Sequence, residues 1–115
     1  MQYLLLIYES EAQWEAVKEA DKQKIYQQYG ELTQDLQKSG KYKGGHQLQP
    51  ISTATTVRER NGKKAVTDGP FAETKEQLGG FYMVEAKDLD EALAIAARIP
   101  SVRSGSIEVR PVVTR

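Results

Sequence analysis

"QYLLLIY" (residues 2–8) decides the fold. Side chains alternate along a strand, so Tyr3, Leu5 and Ile7 point one way and Leu4, Leu6 and Tyr8 the other. Both sets are apolar. A strand with one wet face alternates apolar with polar residues, whereas this one needs cover on both faces. It reads as a central strand, and two separate covers must be found for it.

The first cover is helical. Ser10 with Gln13 fits a capping box, and Trp14 and Val17 share the face of a short helix near residues 11–18. A second start at Asp21 leads to Ile25, Tyr29, Leu32 and Leu36, one apolar stripe of a helix near 22–39. Gly40 stops it, with Lys38 in the last turn. "GGHQLQP" (44–50) is a short strand closed by Pro50. In "TATTVRERNGKKAVTD" (53–68) Asn61-Gly62 predicts a two-residue hairpin turn, because a type I′ turn needs positive φ at both central residues. The register then pairs Arg60 with Lys63, Glu59 with Lys64, Val57 with Val66 and Thr55 with Asp68, which puts Asp68 on the face of Val57 and Val66. "GFYMVEA" (80–86) is a strand with Phe81 and Met83 on one side and Tyr82 and Val84 on the other. Asp88 and Glu91 start a helix with Leu89, Ala92, Leu93 and Ala96 on one face, ended by Pro100. "GSIEVRPVV" (105–113) is the last strand, with Ile107, Val109 and Val113 on one side. The expected architecture is α+β: a ferredoxin-like sandwich, an antiparallel sheet with two main helices on one face. Helices on one face leave the other apolar face open. A second copy packed sheet to sheet is the simplest second cover, so a homodimer is expected.

Bulk properties narrow the function. The 115 residues suit a single domain spanning 1–115, with 39% apolar and 28% charged residues. Lysine plus arginine and aspartate plus glutamate are 16 each, with no basic stripe, so nucleic-acid binding is not expected. Cysteine is absent and histidine single, which leaves no thiolate chemistry and no multi-histidine metal site. No Walker or Rossmann glycine pattern occurs, so no cofactor is expected. No apolar run approaches the roughly 20 residues of a membrane span, and "YLLLIY" lacks the basic segment of a signal peptide. The expected location is the cytoplasm.

The candidate chemistry lies in "VTDGPFAETKEQLGGFY" (66–82), where Asp68, Glu73, Lys75 and Glu76 are framed by glycines and a proline. A long connection in a small domain favours a functional loop, and Phe71 and Leu78 offer apolar handles to dock it. Against this, Asp-Gly-Pro is ordinary turn chemistry and "ETKEQ" suits a hydrated turn, Glu76 included. His46 follows two glycines. Paired with Asp68 it would make a general base; unpaired it is a lone strand histidine. Most of the six tyrosines read as packing residues, while Tyr82, beside the loop's end, is a candidate to face a cleft.

At "DGPFAETKEQLGGFY" the chain closely resembles the DGPF-domain branch of the YCII-related protein family. The likeness extends over "YLLLIY", "GGHQLQP", "ATTVR", "DLDEALAIAARIP" and "GSIEVRPV". The resemblance implies a ferredoxin-like fold that dimerises as a dimeric α/β barrel. It implies a bacterial protein. In the YCII branch a His–Asp pair lines a pocket, which implies an enzyme; DGPF members accompany extracytoplasmic-function sigma factors, which implies signalling. Matched position by position, the motif contributes Asp68, Gly69, Pro70, Phe71, Glu73, Lys75, Glu76 and Gly80.

Two functions follow. One is a small-molecule or acid–base catalytic cleft near residues 68–80, with Asp68 as acid/base, His46 as its partner, and Glu73, Lys75, Phe71 and Tyr82 binding the ligand. The alternative is a non-catalytic regulatory module that binds a sigma factor.

Overall fold

A computed structural model describes residues 1–115. Its elements are β1 (Gln2–Glu9), α1 (Glu11–Glu15), α2 (Glu19–Lys38), β2 (Tyr42–Gln47), β3 (Thr55–Arg60), β4 (Lys63–Asp68), β5 (Gln77–Glu85), α3 (Leu89–Ala96) and β6 (Ser106–Pro111). Four strands form an antiparallel sheet in the order β2-β5-β1-β6, and β3 and β4 form a separate two-stranded sheet. With the hairpin set aside, β5 is inserted antiparallel between β1 and β2. That is the split βαβ arrangement of a ferredoxin-like fold.

Local chemistry explains the boundaries. Ser10 Oγ accepts a hydrogen bond from the Gln13 amide at 3.2 Å and starts α1. α2 begins at Glu19, ahead of the expected Asp21, and both acidic residues lie in its first turn, where they complement the helix dipole. Gly40, at φ 73°, ends it. There the Gly40 amide donates to the Gln37 carbonyl and the Lys41 amide to the Leu36 carbonyl, the paired bonds of a Schellman cap. Asn61 and Gly62 have φ of 55° and 75°, and the β3–β4 register is the expected one from Arg60↔Lys63 to Thr55↔Asp68.

One face of the large sheet carries the core. Tyr3, Leu5 and Ile7 of β1 and Tyr82 and Val84 of β5 pack against Leu32 and Leu36 of α2 and Ala92, Ile95 and Ala96 of α3. Burying one such leucine contributes about 2 kcal/mol. The α3 stripe differs from expectation. Leu89 and Leu93 are half-exposed, and the buried series is Ala92, Ile95, Ala96 and Ile99. Small alanines let the helix sit close to the sheet, so the face is turned by about one position. β2 also starts and stops earlier than 44–50, and β6 ends at Pro111, leaving Val113 outside the sheet.

The opposite face carries Leu4, Leu6, Tyr8, Phe81 and Met83, each only partly buried. The molecule measures 47 × 44 × 19 Å, and its thinnest dimension matches one sheet plus one helix layer. Its radius of gyration is 16.1 Å, where a compact chain of this length has about 13 Å. Part of the excess is the β3–β4 arm, whose Val57 and Val66 are 60% and 59% exposed.

The connection after the arm is shorter than expected, because β5 already begins at Gln77. Phe71 does not dock it on the body: its side chain is 77% exposed. The backbone is instead held to the arm. The Gly69 amide donates to Ala54 O at 2.7 Å, Thr56 Oγ1 to Gly69 O at 2.8 Å, and Arg58 Nη2 to Phe71 O at 3.2 Å. At its far end, Glu76 is not a free hydrated residue. It is half-buried and accepts a 2.8 Å bond from Ser106 Oγ.

Candidate functional site

α3 packs over β6, and Leu32 and Leu36 of α2 join the core beside it. Between the N-terminal half of α2, with Trp14 of α1, and the strands β5 and β2 the filling is incomplete. Three glycines explain why. Gly45 in β2 and Gly79 and Gly80 in β5 bring no side chains to the floor. Gly45 and Gly80 also allow close strand packing, since a Cβ at either would stand 2.8 Å from Phe81 O or 2.9 Å from His46 O. The result is a cleft of about 520 Å³, within the size range of small-molecule sites.

Its walls are aromatic. Trp14 and Tyr26 meet edge to face at 5.6 Å between centroids, and Tyr29 and Tyr82 lie 6.3 Å apart with an interplanar angle of 18°. The Lys22 ammonium sits over the Trp14 ring, 5.3 Å from its centroid. Three carboxylates, Glu9, Glu11 and Glu15, border the space.

Partly buried hydrogen bonds fix the polar groups. Ser101, 2% exposed, donates to Glu9 Oε1 and contacts the Tyr29 hydroxyl. A serine has one proton, so Tyr29 is the donor to Ser101. The chain runs Tyr29 to Ser101 to Glu9. Likewise, Thr33 Oγ1 donates to the Tyr29 carbonyl at 2.9 Å, so across the 2.8 Å contact Tyr82 donates to Thr33. Glu11 Oε2 accepts from the Ile51 amide at 3.0 Å, while its own amide donates to Gln77 Oε1 at 2.9 Å. These bonds join β1, α1, the Ile51 turn and β5. Burial pushes the Tyr29 phenol up to about 12, the Ser101 hydrogen bond opposing and the Glu9 charge adding to it. Burial also raises Tyr82, against its hydrogen bond to Thr33. Both phenols stay protonated at neutral pH.

Of the residues singled out in the sequence, Tyr82 and His46 border the cleft. Cross-strand pairing places them differently. Tyr82 opposes Leu5 and Gly45 on the helix-covered face, whereas His46 opposes Phe81 on the open face, with the two rings 6.0 Å apart. Asp68, Phe71, Glu73 and Lys75 are exposed on the arm and its connection and do not line the cleft. His46 and Asp68 belong to separate sheets. No group of three or more His, Cys, Asp or Glu side chains is placed to hold a metal ion, and no helix is long and apolar enough to cross a membrane.

Sequence reasoning missed Glu9, Glu11, Tyr29 and Ser101 as site residues. One signal was available. Glu9 continues the Tyr3, Leu5, Ile7 series, a carboxylate in step with core-facing residues. Ser101 carried none, because its partners come from β1 and α2.

A model of the YCII-related domain matches residues 1–114. An uncharacterized protein of Rhizobium meliloti (strain 1021) is 36% identical over 113 residues, covering 96% of this chain and 91% of that protein. Family model and relative both span nearly the whole chain, and the chain belongs to the YCII-related family.

Proposed function

We propose that this YCII-related protein is a homodimer whose cleft binds a small organic molecule and supports cofactor-free acid–base chemistry on it. The observation that carries this reading is the cleft of about 520 Å³, with aromatic walls and carboxylates anchored by partly buried hydrogen bonds. Such a combination of apolar wall and a few fixed polar groups is what ligand sites share.

Two features support the dimer. The open sheet face offers Leu4, Leu6, Phe81 and Met83 with no helix above them. The β3–β4 arm is a two-stranded ribbon with exposed valines, and an isolated hairpin is marginal in water. A second copy related by a two-fold axis would cover the face and give the arm a surface to pack on. His46 lies on the face that would then be covered. Within one chain Asp68, Phe71, Glu73 and Lys75 lie outside the cleft, so in this reading the arm of the second copy brings them to it, Asp68 as the acid/base and the other three as ligand contacts.

Trp14 is the only tryptophan and borders the cleft, so its fluorescence reports occupancy. A fragment library titrated against wild type is expected to yield saturable changes; none across the library would remove the reading. With a ligand in hand, Asp68→Asn should abolish binding or turnover with little change in Tm. Equal loss of fold and binding would assign Asp68 a structural role. Sedimentation at micromolar concentration should give the two-chain mass.

The alternative is a regulatory module that docks an extracytoplasmic-function sigma factor. The exposed apolar residues Val57, Val66 and Phe71 on the arm favour it. Sigma-factor capture that survives Asp68→Asn and His46→Ala but not Val57→Lys would support this second reading.

A further inference from the structure

Around Glu9, Tyr29 and Tyr82 the hydroxyl donors of the cleft are already used. The protons of Tyr29, Ser101, Tyr82 and Thr33 are all directed to other protein atoms. Gln77 is committed at both ends, accepting from the Glu11 amide and donating to Thr74 O at 2.6 Å. At the end bordered by Glu9 and Glu11 what remains is acceptor, the lone pairs of the two phenols and the carboxylate oxygens not already bonded, while the free donors of the lining, Trp14, Tyr42, His46 and Gln47, are carried by α1 and β2. Three carboxylates border the cleft against one lysine, and Lys22 already lies over Trp14. An anionic ligand would meet repulsion. A neutral alcohol brings one proton to several acceptors, whereas an ammonium brings three. The aromatic faces attract cations as well, and Lys22 over Trp14 is the resident example.

Resting on the small-molecule reading of the cleft, we propose that its ligand is an arylalkyl primary amine, with the ammonium held between Glu9 and Glu11 and the ring against Trp14 and Tyr26. Both carboxylates are pre-oriented by protein donors, Glu9 by Ser101 and Glu11 by the Ile51 amide, so little ordering is left for binding to impose. Tyr29 and Tyr82 close the polar end as neutral acceptors.

The test uses three matched probes at pH 7.5: 2-phenylethylamine, 2-phenylethanol and phenylacetate, titrated into the full-length protein by calorimetry and Trp14 fluorescence. The amine should bind about tenfold or more tighter than the alcohol, the span of one charge-assisted hydrogen bond, and phenylacetate should not saturate. Glu9→Gln and Glu11→Gln keep the acceptors for Ser101 and Ile51, and should each weaken amine binding about tenfold and alcohol binding by distinctly less, because a neutral donor loses no charge pairing. Lys22→Met, which removes the competing cation, should tighten the amine. Alcohol or phenylacetate binding as well as the amine overturns the ammonium assignment and leaves the cleft a binding site. Amine binding indifferent to both glutamine variants overturns the assigned carboxylates. Silence of all three probes while library fragments bind overturns the amine class; silence of probes and library alike removes the cleft reading itself.

Discussion

Replacing Ser101 by alanine tests whether the Tyr29–Ser101–Glu9 chain holds the cleft together. The side chain is buried, 2% exposed, and bridges residues on α2 and β1. Its loss removes a hydrogen bond to a carboxylate, about 1.5–3 kcal/mol, and one between neutral hydroxyls, about 1 kcal/mol. Glu9 is only partly buried and regains some water; the Tyr29 hydroxyl is left facing a small apolar gap. A net cost of about 2–4 kcal/mol follows. At about 4 °C per kcal/mol for a domain of this size, Tm should fall by about 8–16 °C. Tyr29→Phe removes only the neutral bond and leaves Ser101 on Glu9, so its cost should be about 1 kcal/mol. The double variant should cost little more than Ser101→Ala alone, because the phenol it deletes has already lost its partner. Urea unfolding followed by circular dichroism and Trp14 fluorescence gives all three values at unchanged m. Costs that add within about 0.3 kcal/mol, or a Ser101→Ala cost below about 0.5 kcal/mol, would refute the coupled chain.

The Tyr29 phenol, raised from 10.0 to about 12, should make the fold sensitive to alkali. Its contribution is fully present below pH 10, falls as pH rises towards 12, and amounts at most to about 2.7 kcal/mol at 1.36 kcal/mol per unit. The difference between wild type and Tyr29→Phe in urea midpoints from pH 8 to 11.5 should therefore shrink; a constant difference contradicts the assignment. Gly105→Ala would place a Cβ 2.0 Å from Tyr8 O, so β1 and β6 must part, and a loss of about 3 kcal/mol or more is expected. Gly62→Ala, in open space at φ 75°, should cost only about 1 kcal/mol; equal costs in chemical denaturation would contradict the close-packing account. Leu6→Lys, on the open face, should shift the sedimenting species from two chains to one with the circular dichroism unchanged; an unaltered mass would move the interface elsewhere.

The motif loop and the cleft were legible to different degrees. Tyr82 was singled out for its place beside the loop's end, and it borders the cleft from the helix-covered face of β5. Asp68 was placed correctly by hairpin register, yet the face it shares with Val57 and Val66 turned out to be exposed rather than packed. Register states which side chains are neighbours within a ribbon and is silent on what the ribbon rests against. Phe71 read as a docking handle because it is apolar, but one backbone bond and two side-chain donors, Thr56 and Arg58, tie the backbone of its loop to the arm.

By itself the sequence determined everything that depends on a few adjacent residues: the apolar alternation of residues 2–8, the stripe of α2, the Ser10 and Asp88 caps, the Gly40 stop and the Asn61-Gly62 turn. These follow from periods of two and 3.6 residues and from steric limits on φ, which are properties of short segments. Together with the order of elements they were sufficient for a ferredoxin-like sandwich. The tertiary structure alone decided the site. Ser101 lies 92 residues from Glu9 and 72 from Tyr29, and the cleft exists because glycines on two strands fall beneath one half of a helix. A hydrogen bond between such distant residues leaves no periodic trace in the chain, since only packing sets the distance and burial that make it matter.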